Sequence, residues 1–171
     1  MENHILIRYG ELSLKKTNRR QFIQKITNNI KRALREFTKL EYESRGMRFY
    51  IHLNDTPSGE IVEILKKIPG IYSFSVVDRC EAKLDAIFEL AKTVVEKELA
   101  EGATTFKVET NRADKNFPMT SQEISKEVAR HLFRNIPNLK ADVHNPDFTL
   151  DLDVRLEGAF IYTKTIYGLG G

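Results

Sequence analysis

The sequence predicts an α+β protein of two units, a βαββαβ unit followed by an α/β unit. Short segments of alternating apolar residues indicate strands, and apolar residues at helical spacing indicate helices between them. The length of 171 residues allows two small domains. We expect these domains at 1–77 and 78–171, packed against each other because no Ser-, Pro- or Gly-rich linker separates them.

The first unit starts with an apolar strand at 4–9 and continues with a helix from about Arg19 to Phe37. Asn18 is the expected N-cap of this helix, and Gln21 lies at capping-box spacing from it. The apolar stripe of the helix leaves the basic side chains on its opposite, solvent-facing side.

A hairpin and a second helix and strand complete the first unit. Alternating residues at 40–44 and 47–53 flank Arg45-Gly46, which is typical of a β-hairpin. A helix follows Ser58 and precedes a strand at 71–77. The resulting order predicts the ferredoxin-like arrangement, in which one antiparallel sheet carries both helices on one face.

The second unit mixes helices with strands. In chain order we expect a helix from Leu84 that ends at Gly102, a strand at 106–110 and a polar loop at 111–119. A helix from Thr120 to Pro137 and a strand pair at 150–156 and 160–166 follow. Thr120 and Glu123 lie at capping-box spacing. Asn145-Pro146-Asp147 predicts a turn that positions the neighbouring backbone.

Basic residues are concentrated at one end of the chain. The net charge is only +3, but residues 1–40 contain ten basic and three acidic side chains. This asymmetry indicates an anionic partner, and nucleic acid is favoured over a membrane because no aromatic or leucine-rich insertion face accompanies the charge. A merely solvated helix face is the alternative interpretation.

Several other functions are disfavoured. No apolar run approaches the roughly 20 residues needed to cross a bilayer, and the first residues lack a leader pattern, so we expect a cytoplasmic protein without a membrane partner. The single cysteine, Cys80, cannot form an internal disulfide, and the histidines lack metal-ligand spacing. We therefore predict no catalytic, cofactor-binding or metal-binding residue. Asp151 and Asp153, on one side of a strand, leave a small carboxylate-dependent enzyme as an alternative.

Four motifs, in order along the chain, resemble one known family. They are 7–15 with 18–22 (IRYGELSLK and NRRQF), 106–118 with Ser121 (FKVETNRADKNFP), Asn145-Pro146-Asp147, and 167–171 (YGLGG). Together they resemble the N-terminal half of the bacterial tRNA 4-thiouridine synthetases, or tRNA sulfurtransferases, over essentially the whole chain. The resemblance implies a ferredoxin-like domain followed by a THUMP domain.

The resemblance also implies what the full-length protein does. In this family the complete enzyme uses ATP, with magnesium, to activate the uridine at tRNA position 8, and replaces its oxygen with persulfide sulfur supplied by a cysteine desulfurase. The ATP-binding PP-loop domain would begin shortly after Gly171, so this chain is expected to be inactive alone and to hold no cofactor. The family is usually a homodimer, and its link to thiamine biosynthesis belongs to the absent part.

The chain itself resembles the half that docks tRNA through the acceptor stem and the 3′ CCA end. The expected phosphate contacts of the first unit are Arg8, Lys15, Asn18, Arg19 and Arg20. They surround the start of the first helix, where the helix dipole adds positive potential. As alternatives, Arg8 pairs with Glu11 to fix the turn, and Asn18 serves only as a cap.

In the second unit, the expected RNA contacts surround the loop before the second helix. Arg112, Lys115, Asn116 and Ser121 are predicted to hold terminal phosphates or bases, with Lys107 and Lys164 lining the groove from strand faces. Phe117 either stacks on an unpaired base or, in the interpretation that we favour, packs inward and anchors the loop.

Two further interpretations compete with a sulfurtransferase docking half. The same RNA-docking role in another tRNA-modifying enzyme, a methyltransferase or a pseudouridine synthase, is disfavoured by the motif Arg8-Tyr9-Gly10-Glu11. A protein-interaction module without an RNA role would need an exposed apolar patch, and the sequence offers no obvious one.

Overall fold

The computed structural model describes residues 4–10 and 18–170, which form two compact units. One unit contains the residues up to Val77 and those from Thr165 onward, and the other runs from Asp78 to Lys164. The elements are β1 (His4–Tyr9), α1 (Arg19–Ala33), β2 (Glu41–Arg45), β3 (Arg48–His52), α2 (Gly59–Leu65), β4 (Ile71–Cys80), α3 (Leu84–Ala100), β5 (Thr105–Arg112), α4 (Ser121–Asn135), β6 (Lys140–Ala141), β7 (Phe148–Arg155), β8 (Gly158–Tyr162) and β9 (Ile166–Tyr167).

The first unit is an antiparallel sheet with the strand order β2-β3-β1-β4-β9. Strand β1 lies at its centre, hydrogen-bonded to β3 on one side and to residues 71–77 of β4 on the other. The predicted βαββαβ order is confirmed, with the strand order of a ferredoxin-like fold.

Helix α1 packs its apolar stripe into the core of the first unit. Ile26, Ile30 and Leu34 are buried together with residues of β1, β3 and β4, including Ile7, Phe49 and Phe74. The helix ends at Ala33, earlier than the predicted Phe37. Apolar residues continue at helical spacing to Phe37, but the amide of Phe37 donates to Leu34 O (3.0 Å), so the chain there forms a tighter turn.

The segment from Thr165 to Gly170 belongs to the first unit, whereas the sequence analysis assigned it to the second. Strand β9 pairs with β4 at Ser73 and Phe74, and the amide of Gly168 donates to Tyr72 O (2.9 Å). A Cβ atom at Gly168 would lie 2.6 Å from Ile71 O, so this close approach requires glycine. The strand predicted at 160–166 is therefore two strands with different partners.

The second unit is a mixed sheet covered by α3 and α4. Residues 78–80 of β4 pair with β8, β8 pairs antiparallel with β7, and β5 lies parallel to both β7 and β6. Apolar residues of both helices and the sheet form its core, among them Ile87, Ile124, Val128, Phe106 and Leu150. The predicted α/β class of this unit is confirmed.

Strands β5 and β6 of the second unit differ from prediction. Strand β5 continues to Arg112 because Asn111 and Arg112 pair with Asp153 and Val154 of β7, so these polar residues belong to the strand and not to the loop. The short strand β6 was not predicted, since two residues give no periodicity. No helix in the described part of the chain is long and apolar enough to span a bilayer.

Candidate nucleic-acid interface

Helix α1 carries a strongly positive outer face. It contains five basic and no acidic side chains, and all five basic ones are exposed (Arg19, Arg20, Lys25, Lys31 and Arg32). The opposite face, with Ile26 and Ile30, is buried in the core. Because burial of that face fixes the rotation of the helix, the cations are held outward on a rigid element.

The start of α1 borders a surface depression. Asn18, Arg19 and Arg20 line it on one side, and Gly46 and Met47, at the tip of the β2–β3 hairpin, line it on the other. The structure thus brings together three predicted RNA contacts. Sequence reasoning missed the hairpin tip, because nothing local in Gly46-Met47 indicates that it folds next to α1.

The first turn of α1 is electrostatically unusual. Acidic residues stabilise the positive end of a helix dipole, yet this turn contains Arg19 and Arg20 and no acidic residue. The backbone O of Asn18 accepts hydrogen bonds from the amides of Gln21 (3.0 Å) and Phe22 (3.2 Å), but its side chain makes no capping bond. The predicted capping-box pair with Gln21 is therefore wrong.

Arg8 has a structural role in the first unit. Its Nη1 atom donates to the hydroxyls of Ser75 (3.1 Å) and Ser73 (3.4 Å), across the ladder between β1 and β4. Both serines are buried, at 0% and 1% exposure, so the guanidinium satisfies polar groups that would otherwise be costly. Lys15 and Glu11, the other predicted residues of this region, lie outside the described residues.

In the second unit, Arg112 and Phe117 organise the loop between β5 and α4. Arg112 Nη1 donates to the backbone oxygens of Phe117 (3.2 Å) and Met119 (3.3 Å). The Phe117 side chain is 8% exposed and belongs to the hydrophobic core of this unit. The buried ring favours the loop-anchor interpretation of Phe117, which the sequence analysis also favoured over base stacking. Lys115 and Asn116 remain exposed on the loop.

The start of α4 is capped as predicted. Thr120 Oγ1 accepts from the amide of Glu123 (3.2 Å), and the Glu123 carboxylate accepts from the amide of Thr120 (2.9 Å). The hydrogen bond from the Thr120 amide, helped by the Thr120 hydroxyl, holds the pKa of the Glu123 carboxyl below its usual value. Helix geometry leaves the amides of Ser121 and Gln122 without intrahelical acceptors, which is the arrangement that binds phosphate or carboxylate groups.

A cleft of about 610 Å³ runs between β5 and the first turns of α4. Two predicted contacts, Lys107 and Ser121, line it together with Lys126. Lys107 Nζ lies 2.8 Å from Glu109 Oε1, so its charge is partly compensated, and a hydrogen bond of 2.7 Å joins Thr110 Oγ1 to Ser125 Oγ. The sequence analysis missed Ser125 and Lys126 of this lining. Their position could have indicated it, because they lie four residues, about one helical turn, after Ser121 and Gln122.

Lys164 lies outside this cleft. It is exposed in the connection between β8 and β9, and not on a strand face as predicted. The neighbouring Thr163 donates its hydroxyl to Glu98 Oε1 of α3 (2.7 Å), which places this connection beside that helix. Lys164 is therefore not part of the lining formed by Lys107 and Ser121.

Two other candidate reactive groups are the Asp153 carboxylate, which makes structural contacts, and the Cys80 thiol, whose pKa is raised. Asp153 is 5% exposed and accepts from Asn111 Nδ2 (3.2 Å), with Arg155 Nη1 3.5 Å from its Oδ1 atom. Burial raises the pKa of the Cys80 thiol to about 11, and a thiol in that state is a poor nucleophile at neutral pH. Among the described residues, no group of His, Cys, Asp and Glu side chains is placed to hold a metal ion.

Asp147 holds the segment before β5. Its Oδ2 atom accepts from the amides of Thr104 (2.8 Å) and Thr105 (3.1 Å) and from the Thr104 hydroxyl (3.0 Å). These hydrogen bonds keep the pKa of the Asp147 carboxyl below its usual value. The predicted turn at 145–147 therefore positions neighbouring backbone through this carboxylate.

Asp147→Asn is expected to lower the urea midpoint of unfolding at pH 7, because an amide replaces a charged acceptor of three hydrogen bonds. A carboxyl with a depressed folded pKa contributes stability above its unfolded pKa of about 3.9 and loses it as the pH falls through the folded value. The difference between wild type and variant should thus shrink as the pH falls below about 5. The exposed residue Glu101, as Glu101→Gln, is the control for loss of one negative charge. A midpoint difference between wild type and Asp147→Asn that is independent of pH would contradict the role of the charge.

The chain is similar to proteins that are named as tRNA sulfurtransferases. Two proteins named "Probable tRNA sulfurtransferase", from Acholeplasma laidlawii and Geobacillus kaustophilus, are 42% and 41% identical to the chain over 171 and 169 residues. These alignments cover 100% and 99% of this chain but 41% and 42% of the relatives. The crystal structure of a 4-thiouridine synthetase–RNA complex with bound ATP superposes with a TM-score of 0.86 at 30% identity, over 100% of this chain and 43% of that one.

Residues 4–75 match the family model of the ThiI ferredoxin-like domain, and residues 81–164 match that of the THUMP domain. The chain thus combines a ferredoxin-like domain with a THUMP domain. It belongs to the tRNA sulfurtransferase (ThiI) family and spans about two-fifths of the length of the relatives given above. The resemblance inferred from the four sequence motifs is confirmed.

Proposed function

We propose that this chain is the tRNA-docking part of a sulfurtransferase that makes 4-thiouridine at tRNA position 8. It binds the acceptor stem and the 3′ CCA end and does not catalyse the reaction itself. The observation that carries the proposal is the cleft in the THUMP domain, where Lys107, Ser121 and the start of α4 offer cationic, hydroxyl and amide donors side by side. Such donors suit a phosphate or the edges of unpaired bases.

In this proposal the two domains contact different parts of the tRNA. The exposed arginines at the start of α1, Arg19 and Arg20, contact backbone phosphates of the acceptor stem, which gives affinity without reading sequence. The cleft, with Lys115 and Asn116 of the adjacent loop, holds the single-stranded 3′ end. Arg112 acts by positioning the loop through its hydrogen bonds to Phe117 O and Met119 O.

The remaining chemistry belongs to the rest of the full-length protein. We place there a PP-loop domain after residue 171 that uses ATP with magnesium, and the acceptance of persulfide sulfur from a cysteine desulfurase. ATP use is supported by the bound ATP of the similar 4-thiouridine synthetase. In a homodimer, the docking part of one protomer can present tRNA to the catalytic part of the other. This chain alone should show no ATP–pyrophosphate exchange.

The test is binding of the chain to an acceptor-stem minihelix, with and without its 3′ CCA, over a series of salt concentrations. We expect several-fold tighter binding with the CCA, and a log–log salt slope of about 0.7 to 0.9 per phosphate contact. Lys115→Ala with Asn116→Ala should remove the CCA preference and leave most of the stem affinity. Leu156→Ala, at an exposed position (81%) of the same domain, is the control.

Binding at low salt that ignores the CCA would refute end capture by the THUMP domain. If neither RNA binds, the docking role fails for this chain, and its basic helix is a solvated surface.

A further inference from the structure

We propose that one face of α1 recognises double-stranded RNA through ribose 2′-hydroxyls as well as phosphates, an inference that rests on the proposed function. The face, called the α1 stripe below, consists of Arg20, Gln24, Asn28 and Arg32, with Lys25 beside it. The spacing of four residues places the stripe along one side of the helix, and all five residues line one shallow surface groove.

The cations of the α1 stripe are exposed to solvent. Arg20, Lys25 and Arg32 are exposed, and none of them forms an ion pair with another described residue. Elsewhere, Lys66 and Arg130 pair with glutamates one helical turn away. Since α1 contains no acidic side chain, its charge complements a polyanion.

Between the arginines lie two amide side chains that are already ordered. Gln24 Nε2 donates to Asn28 Oδ1 (3.0 Å). This bond leaves the oxygen of Gln24 as an acceptor and the NH₂ group of Asn28 as a donor. A ribose 2′-hydroxyl both donates and accepts, so the pair suits RNA, whereas DNA lacks the group.

The order of the stripe, cation–amide–amide–cation, matches the minor groove of an A-form helix. That groove is wide and shallow, and proteins recognise it through 2′-hydroxyls and the phosphates across it. Arg20 and Arg32 are 12 residues apart, which is about 18 Å along the helix axis. The helix can therefore place a cation at each phosphate border with the amides over the riboses between them.

The test compares a blunt RNA hairpin of the acceptor stem, without a 3′ overhang, with a DNA hairpin of matching sequence. We expect the wild-type chain to bind the RNA at least about fivefold more tightly, the loss that two modest hydrogen bonds would cause. Gln24→Ala with Asn28→Ala should bring RNA affinity down to DNA affinity without changing the salt slope. Alanine favours helix, so the double variant is expected to fold.

The arginines are tested through the salt slope. Arg32→Gln should weaken RNA and DNA binding alike and lower the slope by about 0.9, the value for one duplex phosphate contact. Lys67→Gln, an exposed cation outside the groove, removes the same charge and should leave the slope unchanged. An unchanged slope for Arg32→Gln would overturn the assignment.

Equal wild-type affinity for RNA and DNA would also overturn the inference, as would an amide double variant that loses both affinities equally. The proposed function fails separately. If the chain prefers RNA with a 3′ CCA but binds RNA and DNA hairpins equally, only the α1 stripe proposal is wrong. If it prefers RNA over DNA but shows no CCA preference, end capture by the THUMP domain is wrong and the α1 stripe proposal is retained.

Discussion

Arg20→Glu is expected to weaken tRNA binding strongly while making the first domain more stable. Arg20 lies in the first turn of α1, where the helix dipole favours acidic side chains, so reversing its charge should add about 0.5 to 2 kcal/mol to the free energy of unfolding. Loss of one phosphate contact alone costs roughly five- to eightfold in affinity at 0.1 M salt. Repulsion between the new carboxylate and the RNA phosphates should raise the total loss of affinity to about tenfold or more.

This variant is informative because its expected effects on RNA binding and on stability have opposite signs. Substitution of a residue that serves folding lowers both stability and binding. Substitution of a cation that opposes the helix dipole in order to bind an anionic ligand raises stability and lowers binding. Binding is measured by fluorescence anisotropy with labelled tRNA, and stability by urea denaturation followed by circular dichroism. Lys67→Glu, which changes the net charge equally outside the α1 grooves, serves as the control. Unchanged binding by Arg20→Glu would identify the basic face of α1 as only solvated.

The most accurate predictions concern features that depend on residues close together in the sequence. The capping box of Thr120 and Glu123 could be predicted because both partners lie within one helical turn. The order of elements in the ferredoxin-like domain followed from apolar periodicity, since burial of one face is what forms these strands and helices. The resemblance depended on motifs whose order and spacing are visible in one chain.

Predictions that depended on distant partners were incomplete. The hydrogen bonds from Arg8 to Ser73 and Ser75 were not predicted, because these serines are 65 and 67 residues away and were not recognised as buried acceptors. The segment from Thr165 was assigned to the THUMP domain because it follows that domain in the chain, although its hydrogen-bond partners lie on β4. Periodicity reports which face is buried and not which strand is the neighbour.

Phe117→Ala is expected to be the most destabilising single change in the candidate RNA site. The ring is buried in the THUMP core, and removing a buried phenylalanine costs about 3 to 5 kcal/mol. The same ring anchors the loop whose backbone oxygens receive the Arg112 guanidinium, so Lys115 and Asn116 should lose their fixed positions. Amide hydrogen exchange over 105–135 should accelerate, and the preference for a 3′ CCA should disappear.

Phe117→Leu separates the anchor role from base stacking. Leucine keeps most of the apolar volume and is expected to cost less than about 1.5 kcal/mol. If Phe117 only anchors the loop, this variant retains the CCA preference, because Arg112 still finds its two backbone acceptors. If the ring stacks on an unpaired base, leucine removes the π-face, and CCA-dependent binding falls by about 1 to 3 kcal/mol while the domain stays folded. The buried position of the ring favours the first result, since stacking would require it to leave a core that contains Phe106, Ile124 and Val128.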